Sequence, residues 1–282
     1  MLTSDYCVFI PTYKRANNVI TYKTLSEGGY TGKIYLVVDD KDPDLDEYKK
    51  KYKNQVLVFS KDEVAKRIDV CDNFPERNSV IYARNKIPEL AKEVGVKYYL
   101  VLDDDYLWFS YRRCFGKVLK EFRCKKLDEI ILSCFDFLSK TYLVDCFCFA
   151  QNGDFIGGSD SFEAIGGKRK IMNSFFCKTD KPFEWKARMN DDVSTNLYNG
   201  QRGKLFFTIN DVSVKQEETQ TSSGGLTDMY LDLGTYIKSF YSIIVSPNCC
   251  KISTMGNNDL RIHHKILWNK SCPKLIRERY KK

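Results

Sequence analysis

Three consecutive carboxylates, Asp103-Asp104-Asp105, close the apolar run Tyr98-Tyr99-Leu100-Val101-Leu102. Like charges this close repel one another, so a cation should share the site, and a hard divalent ion held by oxygens fits best. Short acidic runs are often plain solvated turns. Here the run in front is apolar throughout, as in a strand buried on both faces, and such a strand ends in the middle of a sheet. Ligands of open α/β sheets bind just beyond those carboxyl ends. A second acidic tip, Asp39-Asp40, follows an earlier apolar run, and an acid there can accept hydrogen bonds from a base or ribose.

Lys14, Arg15 and Arg84 stand at the ends of early elements and could neutralise phosphate, although each alone reads equally as a solvated cation. Asp191-Asp192 precedes a helical stretch through Leu197. The pair serves either as a helix N-cap or as a general base that takes a proton from an acceptor hydroxyl. His263-His264 are the only histidines. In a strand they point to opposite faces, so one of them reaches a given site. An imidazole beside carboxylates suits Mn²⁺ better than Mg²⁺, and an exposed pair is the alternative. There is no Gly-x-Gly-x-x-Gly and no Gly-Lys-Ser/Thr loop, so neither a dinucleotide fold nor a P-loop is supported.

The elements that must position these groups follow in order. Tyr6–Ile10 is a buried strand stopped by Pro11. Asn17 or Asn18 caps a helix that ends at Gly28-Gly29. Lys33–Val38 and Gln55–Phe59 are strands around a charged helix, Asp44–Asn54. A helix opens at Asn78 or Ser79, is broken or bent at Pro88 and stops at Gly95. Strands alternating with helices predict an α/β fold, a mostly parallel sheet flanked by helices. After Asp105 the pattern changes to a helix, Leu127–Lys140, and shorter segments at 144–150, 171–177, 205–209 and 212–215. Gly-rich turns at 157–158, 166–167 and 224–225 separate them. This reads as a smaller mixed α+β half laid against the first sheet. No linker divides the chain, which predicts a single domain over 1–282, with a nucleotide-binding half at 1–110 and an acceptor half plus basic tail at 111–282. The polar segment Gln216–Gly225 reads as a surface loop or a substrate-covering one.

Composition narrows the classes. Lys plus Arg number 45 against 37 Asp plus Glu, a net +8 that favours anionic partners. The 11 cysteines are scattered without zinc-ribbon spacing, which predicts reduced thiols in a reducing compartment. No signal peptide is visible and no apolar run nears the ~20 residues of a membrane helix. The expectation is a soluble cytoplasmic protein, not secreted.

Taken together, Phe9-Ile10-Pro11-Thr12-Tyr13-Lys14-Arg15, Asp39, Ala83-Arg84-Asn85, Asp103-x-Asp105 and a late histidine resemble a GT-A glycosyltransferase. Ile10-Pro11-Thr12-Tyr13-Lys14-Arg15-Ala16, Val38-Asp39-Asp40-Lys41-Asp42-Pro43 and Leu102-Asp103-Asp104-Asp105-Tyr106 carry a narrower resemblance. So do the later runs 224–230 and 234–241. They are similar to the TET-associated glycosyltransferases, a viral family, bacteriophages included, that adds sugars to hydroxymethylated pyrimidines in DNA. The resemblance implies a UDP-sugar donor, a divalent metal (Mn²⁺ or Mg²⁺) and, if viral, the host cytoplasm. It implies donor contacts from Pro11, Thr12, Tyr13, Arg15, Asp39, Arg84, Asp103 and Asp104. It implies metal ligands among Asp103, Asp105, His263 and His264, and a catalytic carboxylate at Asp191 or Asp192. An Asp pair stands where the family often has Glu-Asp, so the base is one of two.

Sugar transfer leaves negative charge on the departing diphosphate, which a metal near Asp105 and nearby cations stabilise. If configuration inverts, one carboxylate opposite the leaving group suffices as base. A base stacked in duplex DNA must flip out to reach such a pocket. Tyr106–Phe109 and Tyr111-Arg112-Arg113 could supply stacking and phosphate contacts, or be core. The leading expectation is transfer to 5-hydroxymethylcytosine or 5-hydroxymethyluracil in DNA, with no membrane and no obligate protein partner. The rivals are a GT-A enzyme acting on glycan or protein, and a catalytically silent nucleic-acid-binding module on the same fold.

Overall fold

The computed structural model describes residues 5–116, 118–151, 171–217, 226, 229–230, 234, 236–255 and 260–271. The first half alternates strongly. Its strands are β1 (Tyr6–Pro11), β2 (Ile34–Asp39), β3 (Val56–Phe59) and β4 (Tyr98–Leu102), with helices α1 (Ile20–Glu27), α2 (Leu45–Tyr52), α3 (Lys61–Ala65) and α4 (Ile81–Glu93) between them. The four strands pair in parallel in the order β3-β2-β1-β4.

Each of these strands is apolar on both faces because the sheet is covered on both. Val8, Ile10, Leu36, Val38, Leu100 and Leu102 pack with Leu25 of α1 and Tyr48 of α2. Phe9, Val37, Tyr99 and Val101 pack on the other face with Ile81, Ile87 and Leu90 of α4. Alternate residues of one strand therefore serve two cores. The α/β expectation stands.

The second half comprises β5 (Tyr106–Phe115), β6 (Val118–Arg123), α5 (Leu127–Lys140), β7 (Val144–Gln151), β8 (Ser174–Lys178), α6 (Asp191–Gly200) and β9 (Leu205–Gln216), followed by α7 (Lys238–Val245), β10 (Cys250–Met255) and β11 (Arg261–Ile266). It is not laid against the first sheet but continues it. β8 pairs antiparallel with β4, and the nine strands run β3-β2-β1-β4-β8-β7-β9-β5-β6. A strand as buried as β4 cannot leave one edge of backbone polar groups unpaired, and β8 supplies the partners. β10 and β11 form a separate antiparallel ribbon.

Local expectations shift in four places. Val19, not Asn17 or Asn18, precedes α1, and the Asn17 amide donates instead to Glu47 at 2.7 Å. α4 runs through Pro88 to Glu93, because burial of Ile87, Leu90 and Ala91 outweighs the one missing backbone bond. The segments 205–209 and 212–215 join as β9, whose pairing with β7 shifts register between Phe149 and Ala150. The expected pattern holds no strand at β5, β6 or β10, yet all three form. The Gly-rich turns at 157–158, 166–167 and 224–225, positions 218–225 of the polar loop and the tail beyond Ser271 lie outside the described residues. Among the described residues no helix is long and apolar enough to cross a membrane, and ten cysteines are free thiols.

Candidate active site

Parallel pairing brings the carboxyl ends of β1, β2, β3 and β4 into one row. The tips Pro11-Thr12-Tyr13, Asp39, Phe59 and Asp103-Asp104-Asp105 therefore converge on one cavity of about 200 Å³, closed on the far side by Asn78, Ser79, Val80 and Ala83 at the start of α4. Arg15 and Lys61 also line it.

The three acids lie past the end of β4, in a turn, so strand alternation does not govern them. Alternation would have turned Asp104 away from Asp103 and Asp105, whereas all three border the cavity. α1 clamps this turn: the Thr21 hydroxyl donates to the Asp103 carbonyl at 2.5 Å, accepts from the Tyr106 amide at 2.8 Å, and the Thr21 amide donates to the Asp104 carbonyl at 3.1 Å.

Each carboxylate has a different environment. Asp104 is buried, accepts from the Thr12 hydroxyl at 2.7 Å and pairs with Arg15 at 2.6 Å. Burial raises its pKa, with Arg15 and Thr12 opposing. Tyr48 of α2 organises the same loop, its hydroxyl 2.9 Å from the Thr12 hydroxyl and accepting from the Arg15 amide at 2.9 Å. Lys14 takes a left-handed φ of 55°, secured by its amide donating to Asp42 at 2.9 Å. Asp105 is pushed up to about 7, first by burial and then by the charges of Asp103 and Asp104.

Asp103 accepts from Arg84 at 2.7 Å, and the same guanidinium binds Asp191. Arg84 is 4% exposed, and its guanidinium lies 4.7 Å from the ring centre of Phe175 and 5.0 Å from that of Trp185. Burial works against its charge, and the two carboxylates more than offset that, so its pKa rises. The sequence suggests a nucleotide contact for Arg84. Here Arg84 is not among the residues lining the cavity, and its guanidinium joins the β4 tip to α6.

Asp191 opens α6 directly after Asn190, which takes a left-handed φ of 55°. Its pKa is raised to about 6 by burial, with Arg84 opposing and Asp192 and Asp103 adding to the rise. The Asp192 carboxylate folds back on the Val193 amide at 2.6 Å. Neither acid is the N-cap. His263 and His264 are not splayed apart, since their ring centres are 4.6 Å from each other. A two-stranded ribbon twists more than a wide sheet, which relaxes strict opposition of neighbouring side chains. The His264 Nδ1 is 3.4 Å from the Asn190 amide nitrogen and the His263 Nδ1 3.4 Å from the Ser239 hydroxyl. Among the described residues no group of three or more His, Cys, Asp or Glu side chains converges as a ready-made metal cage.

Lys61 is a charged cavity-lining side chain that sequence reasoning misses. It is 9% exposed in the cavity, 3.8 Å above the Tyr13 ring centre and 3.5 Å from Asp39. Asp39 also accepts from the Lys61 amide at 3.1 Å. Burial raises the pKa of Asp39 and lowers that of Lys61, each opposed by the other. The available signal was position: Lys61 follows the third parallel strand tip, where a ligand-facing residue belongs.

In open parallel sheets ligands bind at such a cavity beyond the strand tips. Residues 6–225 match the model of the TET-associated glycosyltransferases, and the chain belongs to that family. It is thus a glycosyltransferase. No curated protein matches it. Among solved structures, glucosyl-3-phosphoglycerate synthase from Mycobacterium tuberculosis, in complex with Mn²⁺, UDP and phosphoglyceric acid, is 8% identical over 93% of this chain and 87% of its own, with a TM-score of 0.47. S. aureus TarS 1-349 in complex with UDP-GlcNAc is 13% identical over 85% of this chain and 66% of its own, with a TM-score of 0.42.

Proposed function

We propose that the protein transfers a sugar from a UDP-sugar to the hydroxymethyl group of 5-hydroxymethylcytosine, or 5-hydroxymethyluracil, in DNA, with a divalent metal at the Asp103–Asp105 tip. Membership of the family supports the acceptor class, and the net charge of +8 agrees with a polyanionic acceptor. The observation that carries the reading is the Arg84 bridge. It joins an acid of the donor cavity to a buried acid at the start of α6, so donor and acceptor chemistry share one rigid link.

The donor set fits a hard cation. Asp104 is committed to Thr12 and Arg15, which leaves Asp105 and the second oxygen of Asp103 as the free hard ligands. The raised pKa of Asp105 reflects burial first and then crowding by the charges of Asp103 and Asp104, and a cation relieves that crowding. When bound, the metal neutralises charge gathering on the departing diphosphate. The family resemblance would add His263 or His264 to that ligand set. Asp39 and Lys61, with Tyr13, face the nucleotide end of the cavity; Arg15 adds positive charge beside the acidic tip.

Asp191 is the base in this reading. Its pKa of about 6 is close to neutral pH, where a carboxylate both remains ionised and accepts a proton usefully. It takes the proton from the acceptor hydroxyl, and Arg84 holds it in place. Asp192, folded on its own helix, is not required for proton transfer.

Incubating hydroxymethylated DNA with a panel of UDP-sugars and Mn²⁺, then measuring nucleoside mass, tests the proposal. A hexose-sized increase on the modified base supports it. Transfer to glycans but not to DNA selects the other enzymatic reading, and DNA retention without any donor turnover selects a silent binding module.

A further inference from the structure

The β10–β11 ribbon lies outside the stretch matched by the family model. Neither strand, Cys250–Met255 nor Arg261–Ile266, contains a single Asp or Glu. Lys251 and Lys265 are exposed and directly opposite each other in the antiparallel register. Like charges so paired destabilise a ribbon unless something anionic lies across them. Arg261, also exposed, extends the positive line four residues further along β11, roughly 14 Å at the rise of a strand. No salt bridge engages these three cations among the described residues. Lys66 and Lys86, by contrast, stand beside Glu63 and Glu89, each three residues away.

The ribbon also stands at a defined place. His264 reaches the side chain of Asn190, the residue immediately before Asp191, and His263 reaches Ser239 of α7. Cys250 and Ile266 pack with Val193 and Leu197 of α6, so ribbon and base-bearing helix form one packed unit.

We propose that the outward cations of this ribbon, Lys251, Lys265 and Arg261, are the seat for the phosphodiester backbone of the acceptor DNA, next to the nucleotide presented to Asp191. A line of positive charge this long exceeds the span of one phosphate and matches a repeating polyanion. This assignment rests on the DNA reading above and names the surface that reading lacks. Backbone contacts of this kind set register and affinity without reading sequence. The ribbon therefore governs how tightly DNA binds and leaves the chemical step alone.

The test uses the full chain carrying Lys251→Glu with Lys265→Glu, beside a control of equal charge change, Lys49→Glu with Lys50→Glu on the exposed side of α2. Transfer to hydroxymethylated duplex is measured as kcat and KM across 50–200 mM salt. The ribbon variant is expected to show a KM for DNA about tenfold higher, kcat at saturating DNA within twofold of wild type, and a plot of log affinity against log salt shallower by about two. The control is expected to change KM by less than threefold. Equal losses in both variants, or no loss in the ribbon variant while the wild type modifies DNA, overturn the ribbon assignment alone. A wild type that modifies no DNA overturns the acceptor reading and the ribbon assignment together.

Discussion

At the scale of single residues, the site is a set of acids with different tasks imposed by their neighbours. Asp191→Asn removes the proposed base and is expected to lower kcat by about 10²–10⁴ with UDP-sugar binding retained, whereas Asp192→Asn leaves kcat within a few-fold; single-turnover transfer rates decide between them. The raised pKa of Asp191 fixes the sign of the pH response. A base works deprotonated, so activity should rise with pH through an inflection near 6. Arg84 opposes that rise, so Arg84→Met should move the inflection upward and Arg84→Lys restore it. Asp105→Ala should abolish transfer while the circular dichroism spectrum stays unchanged, because Asp105 lies in a turn outside β4. Undiminished activity would remove Asp105 from the metal site.

At the scale of elements, the site depends on side chains that hold strand tips to helices. Arg84 links α4, the β4 tip and α6 while 4% exposed. Its replacement by Met strands the carboxylate of Asp191 with little access to water and leaves Asp103 without its partner, and a loss of about 3–5 kcal/mol in chemical denaturation is expected. Thr21 performs the milder version of the same task between α1 and the acidic turn. Thr21→Val leaves the Asp103 carbonyl and the Tyr106 amide without that partner, at about 1–3 kcal/mol. Both variants are checked by urea midpoints, and a cost at Thr21 as large as that at Arg84 would contradict this ranking.

At the scale of the whole molecule, one sheet of nine strands carries both the cavity at the strand tips and the support of α6. A nucleotide seated at the tips therefore stabilises the cooperative fold and not a lobe alone. UDP with Mn²⁺ at a hundred times its dissociation constant should raise the melting temperature by roughly 5–10 °C, and chelation of the metal should reverse most of it. A calorimetric trace that splits into two transitions under UDP would show instead that the halves melt separately.

Much of this was legible in the chain itself. Apolar runs such as Tyr6–Ile10 and Tyr98–Leu102 announced strands buried on both faces, and acids directly behind such runs announced ligand-facing tips, because period and polarity are local properties. What the amino-acid order could not decide was partnership. Arg84 and Asp191 are 107 positions apart, and nothing local in either segment says that one will neutralise the other. Lys61 reads as one surface lysine among many until parallel pairing sets β3 beside β2. The second half reads as a separate layer until β8 takes the open edge of β4. Pairing is chosen by long-range burial and by the demand that every buried backbone group find a partner, and both are settled only when the whole sheet closes. The Asp103-Asp104-Asp105 turn was visible at once as a charge problem. The tertiary structure divided that problem, giving Asp104 to Arg15 and Asp103 to Arg84, and left Asp105 beside them, where the proposed cation is placed.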